Sequence, residues 1–156
     1  MDGIMTDVLQ KDLKALALEI LSGEHLMALA TVRHDGFPQT TWVNYISDQL
    51  TLYFACDAAS QKAGNIELNP KVSLAIASET KNFNKLKGLS MSGTARRIKD
   101  RATATTLAQR LFSELPQSRR FVPQDPLSLA VFAVEPVAIS IVDYAQGFGT
   151  THHMVV

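Results

Sequence analysis

The 156-residue chain is 46% hydrophobic and carries 15 basic against 15 acidic residues, the make-up of one ordinary globular domain able to bury a core without disulfides or structural metal. Zero net charge argues against broad electrostatic capture of nucleic acid. The lone Cys56 excludes an internal disulfide and any cysteine-cluster metal site.

Charged residues break up the N-terminus at Asp2, Asp7, Lys11, Asp12 and Lys14, so no signal peptide is read there. No run reaches membrane-spanning length, and the cytoplasm is the expected location. Met5, Val8, Leu9, Leu13, Leu16, Ala17, Ile20 and Leu21 recur at spacings of three and four. That places them on one face of a helix that Thr6 could cap and Gly23 could end, covering one end of a sheet structure. From Leu26 to Arg33 apolar residues fall at both parities, as in a strand covered on both sides. His34-Asp35-Gly36 makes a hairpin turn, and Pro38 sits at the start of the next strand, where a missing N–H does little harm. That strand, Gln39 to Ser47, has hydrogen-bonding groups on both faces. One face is therefore expected to border a ligand or a subunit interface, since unsatisfied buried polar groups are costly. Trp42, the single tryptophan, is expected in the core, with a ring-stacking role as the competing reading.

Leu50, Leu52, Phe54 and Cys56 alternate with Thr51, Tyr53 and Ala55, a period of two that marks a strand. Cys56 reads as a small buried hydrophobe. A short helix follows, opened by Ser60 as N-cap and stopped by Asn69-Pro70, before a strand from Val72 to Ala77. Free amides, a hydroxyl and the Lys62 ammonium converge at that helix start, where the helix dipole is positive, an environment suited to a phosphate monoester. The competing reading makes Ser60 only a cap and Lys62 only a solvated first-turn residue.

Glu79 to Lys87 looks like a solvated connection. The strand Leu89 to Ile98 sets Ser90, Ser92, Thr94 and Arg96 on one side and Leu89, Met91, Gly93 and Ala95 on the other, with Gly93 marking a bulge or a close backbone approach. Arg96, Arg97, Lys99 and Arg101 read as the charged end of an edge strand. Asp100 caps a helix striped by Ala104, Leu107, Ala108, Leu111, Phe112 and Leu115 and closed by Pro116. A loop from Gln117 to Pro126 leads into a long strand, Leu129 to Asp143, with a bulge expected at Glu135-Pro136. A flexible tail from Gln146 holds His152 and His153, which can ligate metal or haem but in a tail are expected to do neither.

Short strands separated by turns, two flanking helices and one inserted helix give an antiparallel barrel in a single domain: an N-terminal helix to residue 23, the barrel over 24–149 and a tail over 150–156. Neither a dinucleotide fingerprint nor a phosphate loop is present. The ordered set Ser60-Gln61-Lys62-Ala63, Asn65-Ile66, Asn69-Pro70 and Val72-Ser73-Leu74 follows the strand ending Leu52-Tyr53-Phe54. It resembles the pyridoxamine 5′-phosphate oxidase-like FMN-binding split-barrel family. Ala28 to Val32 with Asp35 to Gln39, Gly93-Thr94-Ala95, Val142 to Tyr144 and Gly147 to Gly149 are similar to further parts of small members of that family.

The resemblance implies a mainly β fold, an antiparallel split β-barrel with flanking helices. It also implies a homodimer with FMN at the subunit interface. In the family a Ser-Arg-Lys segment meets the flavin phosphate. Here it reads Ser60, Gln61 and Lys62, one cation fewer. The same resemblance sets Ala55 and Cys56 at the backbone positions beside the flavin, and Thr41, Trp42 and Val43 on the preceding flavin-contacting strand. Enzyme members carry an arginine where Thr41 falls and a lysine where Ile46 falls, and the Arg-x-His arrangement of the vitamin B6 oxidases is not found near the C-terminus. The implied activity is thus an FMN-dependent oxidoreductase or flavin reductase rather than oxidation of pyridoxamine phosphate, with a nicotinamide nucleotide as a candidate electron donor. The alternatives are a haem-binding or haem-degrading relative, a deazaflavin-dependent reductase, or a non-enzymatic FMN-binding protein. No catalytic side chain is assigned.

Overall fold

The Asp-Gly turn organises the first hairpin: Gly36 adopts φ +86°, a left-handed conformation that glycine reaches without a Cβ penalty. In the computed structural model, which describes residues 2–156 and the side chains of residues 9–156, this turn joins β1 (Leu26–Val32) to β2 (Pro38–Asn44). The chain continues through β3 (Ile46–Asp48), β4 (Thr51–Asp57), α2 (Gln61–Leu68), β5 (Lys71–Ala77), β6 (Lys87–Arg97), α3 (Arg101–Glu114), β7 (Leu129–Asp143) and β8 (Thr151–Val155), after an opening α1 (Asp2–Gly23). Neighbouring strands run in the order β2-β1-β5-β6-β7-β4-β3, every pairing is antiparallel, and β8 adds to β7. The first and last members of that path, β2 and β3, are consecutive pieces of chain separated by Tyr45, so the sheet curls back on itself.

Tyr45 is fully buried at this break. Its backbone N–H donates to the His25 carbonyl at 3.0 Å, and its phenol donates to the Leu21 carbonyl at 3.0 Å. Burial pushes the phenol well above its ordinary pKa, with a smaller push from Glu24. A single side chain thus bends the strand and fastens the end of α1 to it. The interior is filled by alternate residues, among them Met27 and Leu29 of β1, Leu52 and Phe54 of β4, Leu74 of β5 and Met91 of β6. Phe54 stacks on Phe132 of β7 at 5.3 Å. The other sides of β4 and β7 carry α3 on a second apolar cluster of Ile46, Ala55, Ala108, Leu111, Leu115 and Val131. Asp100 caps α3 by accepting from the Thr103 amide at 2.9 Å.

The long strand Leu129–Asp143 has the expected bounds. Its bulge falls opposite Ser92/Gly93, with Gly93 set across from Pro136. A Cβ at Gly93 would lie 2.8 Å from the Glu135 carbonyl oxygen, which is why the position carries glycine.

Several expectations are corrected. Thr6 lies inside α1, because nothing in the preceding residues breaks the helix; Met5 and Val8 fall outside the described side chains, and Leu9 is exposed. The expected strand Gln39 to Ser47 is split in two by the Tyr45 bend. Trp42 is 74% exposed: β2 alternates, and Trp42 shares its parity with exposed Thr40 while Val43 takes the inward position. Ala28, Ala30 and Val32, on the same side of the sheet as Trp42, stay half-exposed, so β1 is fully covered on one face only. β6 is not an edge strand but lies between β5 and β7; Arg96 pairs with Glu135 and Arg97 with Glu67, so cross-strand and helix carboxylates meet its charges. The tail is not free: Thr151–Val155 pairs with Ala138 to Val142 because the C-terminal half of β7 has an edge that β4 does not reach.

Candidate functional site

The site begins where two strands separate. β3 and β4 pair from Ile46 with Tyr53 to Asp48 with Thr51. Continuing that register would set Val43 opposite Cys56 and Trp42 opposite Asp57, yet β2 pairs only with β1, and Phe54 to Asp57 pair only with β7. The seam between β2 and the end of β4 therefore carries no ladder among the described residues, which leaves backbone N–H and C=O groups of both strands facing a slot at whose mouth α2 begins.

Ser60 forms the N-cap of α2, its hydroxyl oxygen accepting from the Ala63 amide at 3.4 Å. The hydroxyl leans on the Cys56 sulfur at 3.6 Å. The Gln61 and Lys62 amides find no acceptor among the described residues, as helix geometry dictates for a first turn. Lys62 is half-buried beside them and has no carboxylate partner among the described residues. Two free N–H donors, a hydroxyl and an ammonium at a positive helix end form an anion cradle.

A polar chain that sequence reading missed holds α2 against the slot. Asn65, buried in the middle of α2, donates to Thr31 Oγ1 of β1 at 3.0 Å and to Gln39 Oε1 of β2 at 3.0 Å, and Gln39 Nε2 donates to Gln61 Oε1 at 2.9 Å. The available signal was an asparagine between Gly64 and Ile66 in a short helix, a residue of poor helix propensity that such a position tolerates when its amide is needed elsewhere. Gln61, which leaves the segment one cation fewer, serves here as the acceptor that ends this chain.

Of the eight candidate residues, the structure gathers Thr41, Cys56, Ser60, Gln61 and Lys62 around the slot. Thr41 shares the parity of Gln39, which reaches α2. Val43 faces the barrel core. With Val43, two further side chains are not brought in. Ala55 turns its methyl to α3 and keeps its backbone, the part expected there, at the slot, and Trp42 projects from the opposite side of β2. Burial pushes the Cys56 thiol up from its ordinary value, against smaller downward pulls from Ser60 and Lys62. The thiol stays protonated and weakly nucleophilic. Ile46 is fully buried in the apolar cluster beneath α3, a place with no partner for a lysine ammonium. His152 and His153 sit on β8 against the C-terminal half of β7, whereas the slot borders β4, which pairs with the N-terminal half. Among the described residues no cluster of three or more His, Cys, Asp or Glu could hold a metal, and no helix is long and apolar enough to cross a membrane.

Comparison with known proteins agrees with this architecture. The chain is 25% identical over 141 residues to general stress protein 26 of Bacillus subtilis (strain 168), covering 88% of this chain and 93% of that protein. Among solved structures it is similar to a haem-binding protein from Mycobacterium smegmatis (TM-score 0.76, 14% identity, 91% of this chain and 57% of that one). It is also similar to an FAD-binding protein from Mesorhizobium loti (TM-score 0.67, 18% identity, 79% and 88%). At these identities the structures attest the shared split-barrel fold. The model of the pyridoxamine 5′-phosphate oxidase family matches residues 13–143, from the middle of α1 to the end of β7, and the chain belongs to that family.

Proposed function

We propose that this protein binds FMN in the slot between β2 and α2 and works as an FMN-dependent oxidoreductase, as a homodimer with a flavin at each subunit interface. The observation that carries the reading is the cradle at the α2 N-terminus: two amides and a Lys62 ammonium that have no acceptor or carboxylate partner among the described residues, with the Ser60 hydroxyl beside them, at the end of a slot whose strand edges form no ladder. A phosphate monoester would occupy the cradle. The unpaired β2 edge would offer its N–H and C=O groups to a planar heteroaromatic ring with donors and acceptors along one side. When bound, FMN supplies hydride and single-electron chemistry. The chain's own residues would hold the phosphate, set the ring against the β2 backbone, and keep a protonated, inert thiol at Cys56 beneath it. The buried Ile46 favours a substrate other than pyridoxamine phosphate, since no cation stands at that position to meet a substrate phosphate.

The dimer reading rests on the outer side of β1, β5 and β6, where Ala28, Ala30, Ser73, Ala75, Ser90 and Ser92 present short side chains beside the exposed Trp42 indole. Such a surface lets a second sheet approach closely, with an aromatic anchor at its margin. Sedimentation equilibrium with FMN present should give a dimer at micromolar concentration, and a monomer under those conditions would refute the shared site.

The cofactor test titrates wild type and Lys62→Ala with FMN and with riboflavin at fixed ionic strength, followed by flavin fluorescence. Loss of a charge-assisted contact of about 1.5 to 3 kcal/mol should weaken FMN roughly tenfold to a hundredfold and leave riboflavin nearly unchanged. Equal weakening of both ligands would make Lys62 a support of the fold. The purified protein should show the two visible bands of a flavin; a haem Soret band or the single band of a deazaflavin would replace FMN with that group.

A further inference from the structure

A second cavity, of about 680 Å³, opens between one face of α3, the β6–α3 link and the loop before β7. It shares no lining residue with the slot: none of Thr41, Cys56, Ser60, Gln61 or Lys62 borders it. Its volume lies within the range of small-molecule sites, roughly 300 to 1,000 Å³. Four cationic side chains line it, Arg97, Lys99, Arg101 and Arg119, against one carboxylate, Glu67. That carboxylate is spent on Arg97 at 3.0 Å, so Lys99, Arg101 and Arg119 have no acidic partner among the described residues.

The remaining lining is of two kinds. Phe112, Leu127 and Leu129 give an apolar floor, and the Arg119 guanidinium lies 5.1 Å from the Phe112 ring centroid, forming a flat cationic and aromatic wall. Gln109 and Gln124 add amide groups; the Gln124 amide nitrogen already donates to the Arg119 and Val122 carbonyls, which leaves its side-chain oxygen free to accept. The ligand that satisfies this combination has several negative charges, a flat apolar body and a few hydrogen-bonding atoms on that body. Inorganic phosphate lacks the body, and a fatty carboxylate lacks both the charge and the polar edge. We propose that this cavity is a nucleoside phosphate site, with the phosphates at Lys99 and Arg101 and the base against Phe112 and Leu127. The assignment does not rest on the flavin reading.

The test is calorimetric titration of the whole protein, already saturated with FMN if it binds FMN, using ADP, adenosine, inorganic phosphate and decanoate at fixed ionic strength. ADP should bind with one site per chain and adenosine more weakly, while phosphate and decanoate should not saturate at the same concentrations. Lys99→Ala and Arg101→Ala replace exposed side chains and should each weaken ADP about tenfold, whereas Lys62→Ala should leave ADP unchanged. Absence of ADP binding would overturn the proposal, as would indifference to both cavity variants, loss of binding in Lys62→Ala, or decanoate binding where ADP does not. Circular dichroism of the two cavity variants should match wild type, which ties any loss to the cavity.

Discussion

Two seams of the same barrel differ in one respect. Between β6 and β7 the ladder runs from Lys87 with Asp143 to Arg97 with Phe132, interrupted by a single bulge. β2 and β4 are brought side by side by the Tyr45 bend, yet they form no ladder at all. The closed seam spends its backbone groups on itself and its side chains on a shared core. The open seam keeps its backbone groups in hand and recruits a short helix with a polar strut. The continuous ladder and the proposed ligand slot thus fall at different seams of the barrel. Substitutions on one side should leave the other side's property largely alone.

Phe132→Ala offers the harshest way to break the comparison. It removes a fully buried ring of β7, the strand the closed seam shares, that stacks on Phe54 of β4, and it should cost about 3 to 5 kcal/mol in urea unfolding. FMN affinity per folded molecule should hold, and a selective loss of FMN binding without loss of stability would erase the division. Asn65→Ala strikes the strut. It leaves Thr31 and Gln39 short of a donor in a buried place and should cost about 1 to 3 kcal/mol, while also loosening α2 and weakening FMN and riboflavin together. Unfolding with and without FMN separates the two effects; an undisturbed FMN affinity would mean that α2 is held by packing alone. Lys62→Ala is the mildest. Its stability should stay within about 0.5 kcal/mol of wild type, because it removes a partly exposed charge with no acidic partner among the described residues. A larger fall would place Lys62 in the framework instead of the cradle.

The closed side was the more legible in the sequence. The apolar run of Leu129 to Asp143, the alternation of Leu89 to Ala95 and the stripe of α3 are local patterns imposed by burial, and each predicted element formed where its period placed it. At the open side, Ser60 announced its cap because capping is decided within four residues. What could not be read was long-range. The Gln39–Asn65–Thr31 chain joins three elements and leaves no periodic trace. The parity that exposes Trp42 and buries Val43 depends on where the strand bends, and that is set by Tyr45 reaching back to Leu21. β6 looked like an edge because its end is basic, when Glu67 and Glu135 lie far off in sequence to neutralise it. The same limit hid β8, whose partner edge exists only after β4 has stopped short.

The strand order also sets a timetable for folding. β4 finds its partner in β7, so Leu52 waits for Val134 and Cys56 waits for Ala130 while α2, β5, β6 and α3 are made in between. Contacts of such wide separation close slowly, because the loop entropy is lost before the pairing repays it. During synthesis on the ribosome the apolar run from Leu50 to Cys56 emerges early and stays uncovered until the last quarter of the chain appears. The β1–β2 hairpin, whose partners are neighbours, should register first. Chaperone dependence and loss to aggregation should therefore track the arrival of β7, and a chain stopped before Leu129 should be insoluble even though every slot residue is already present.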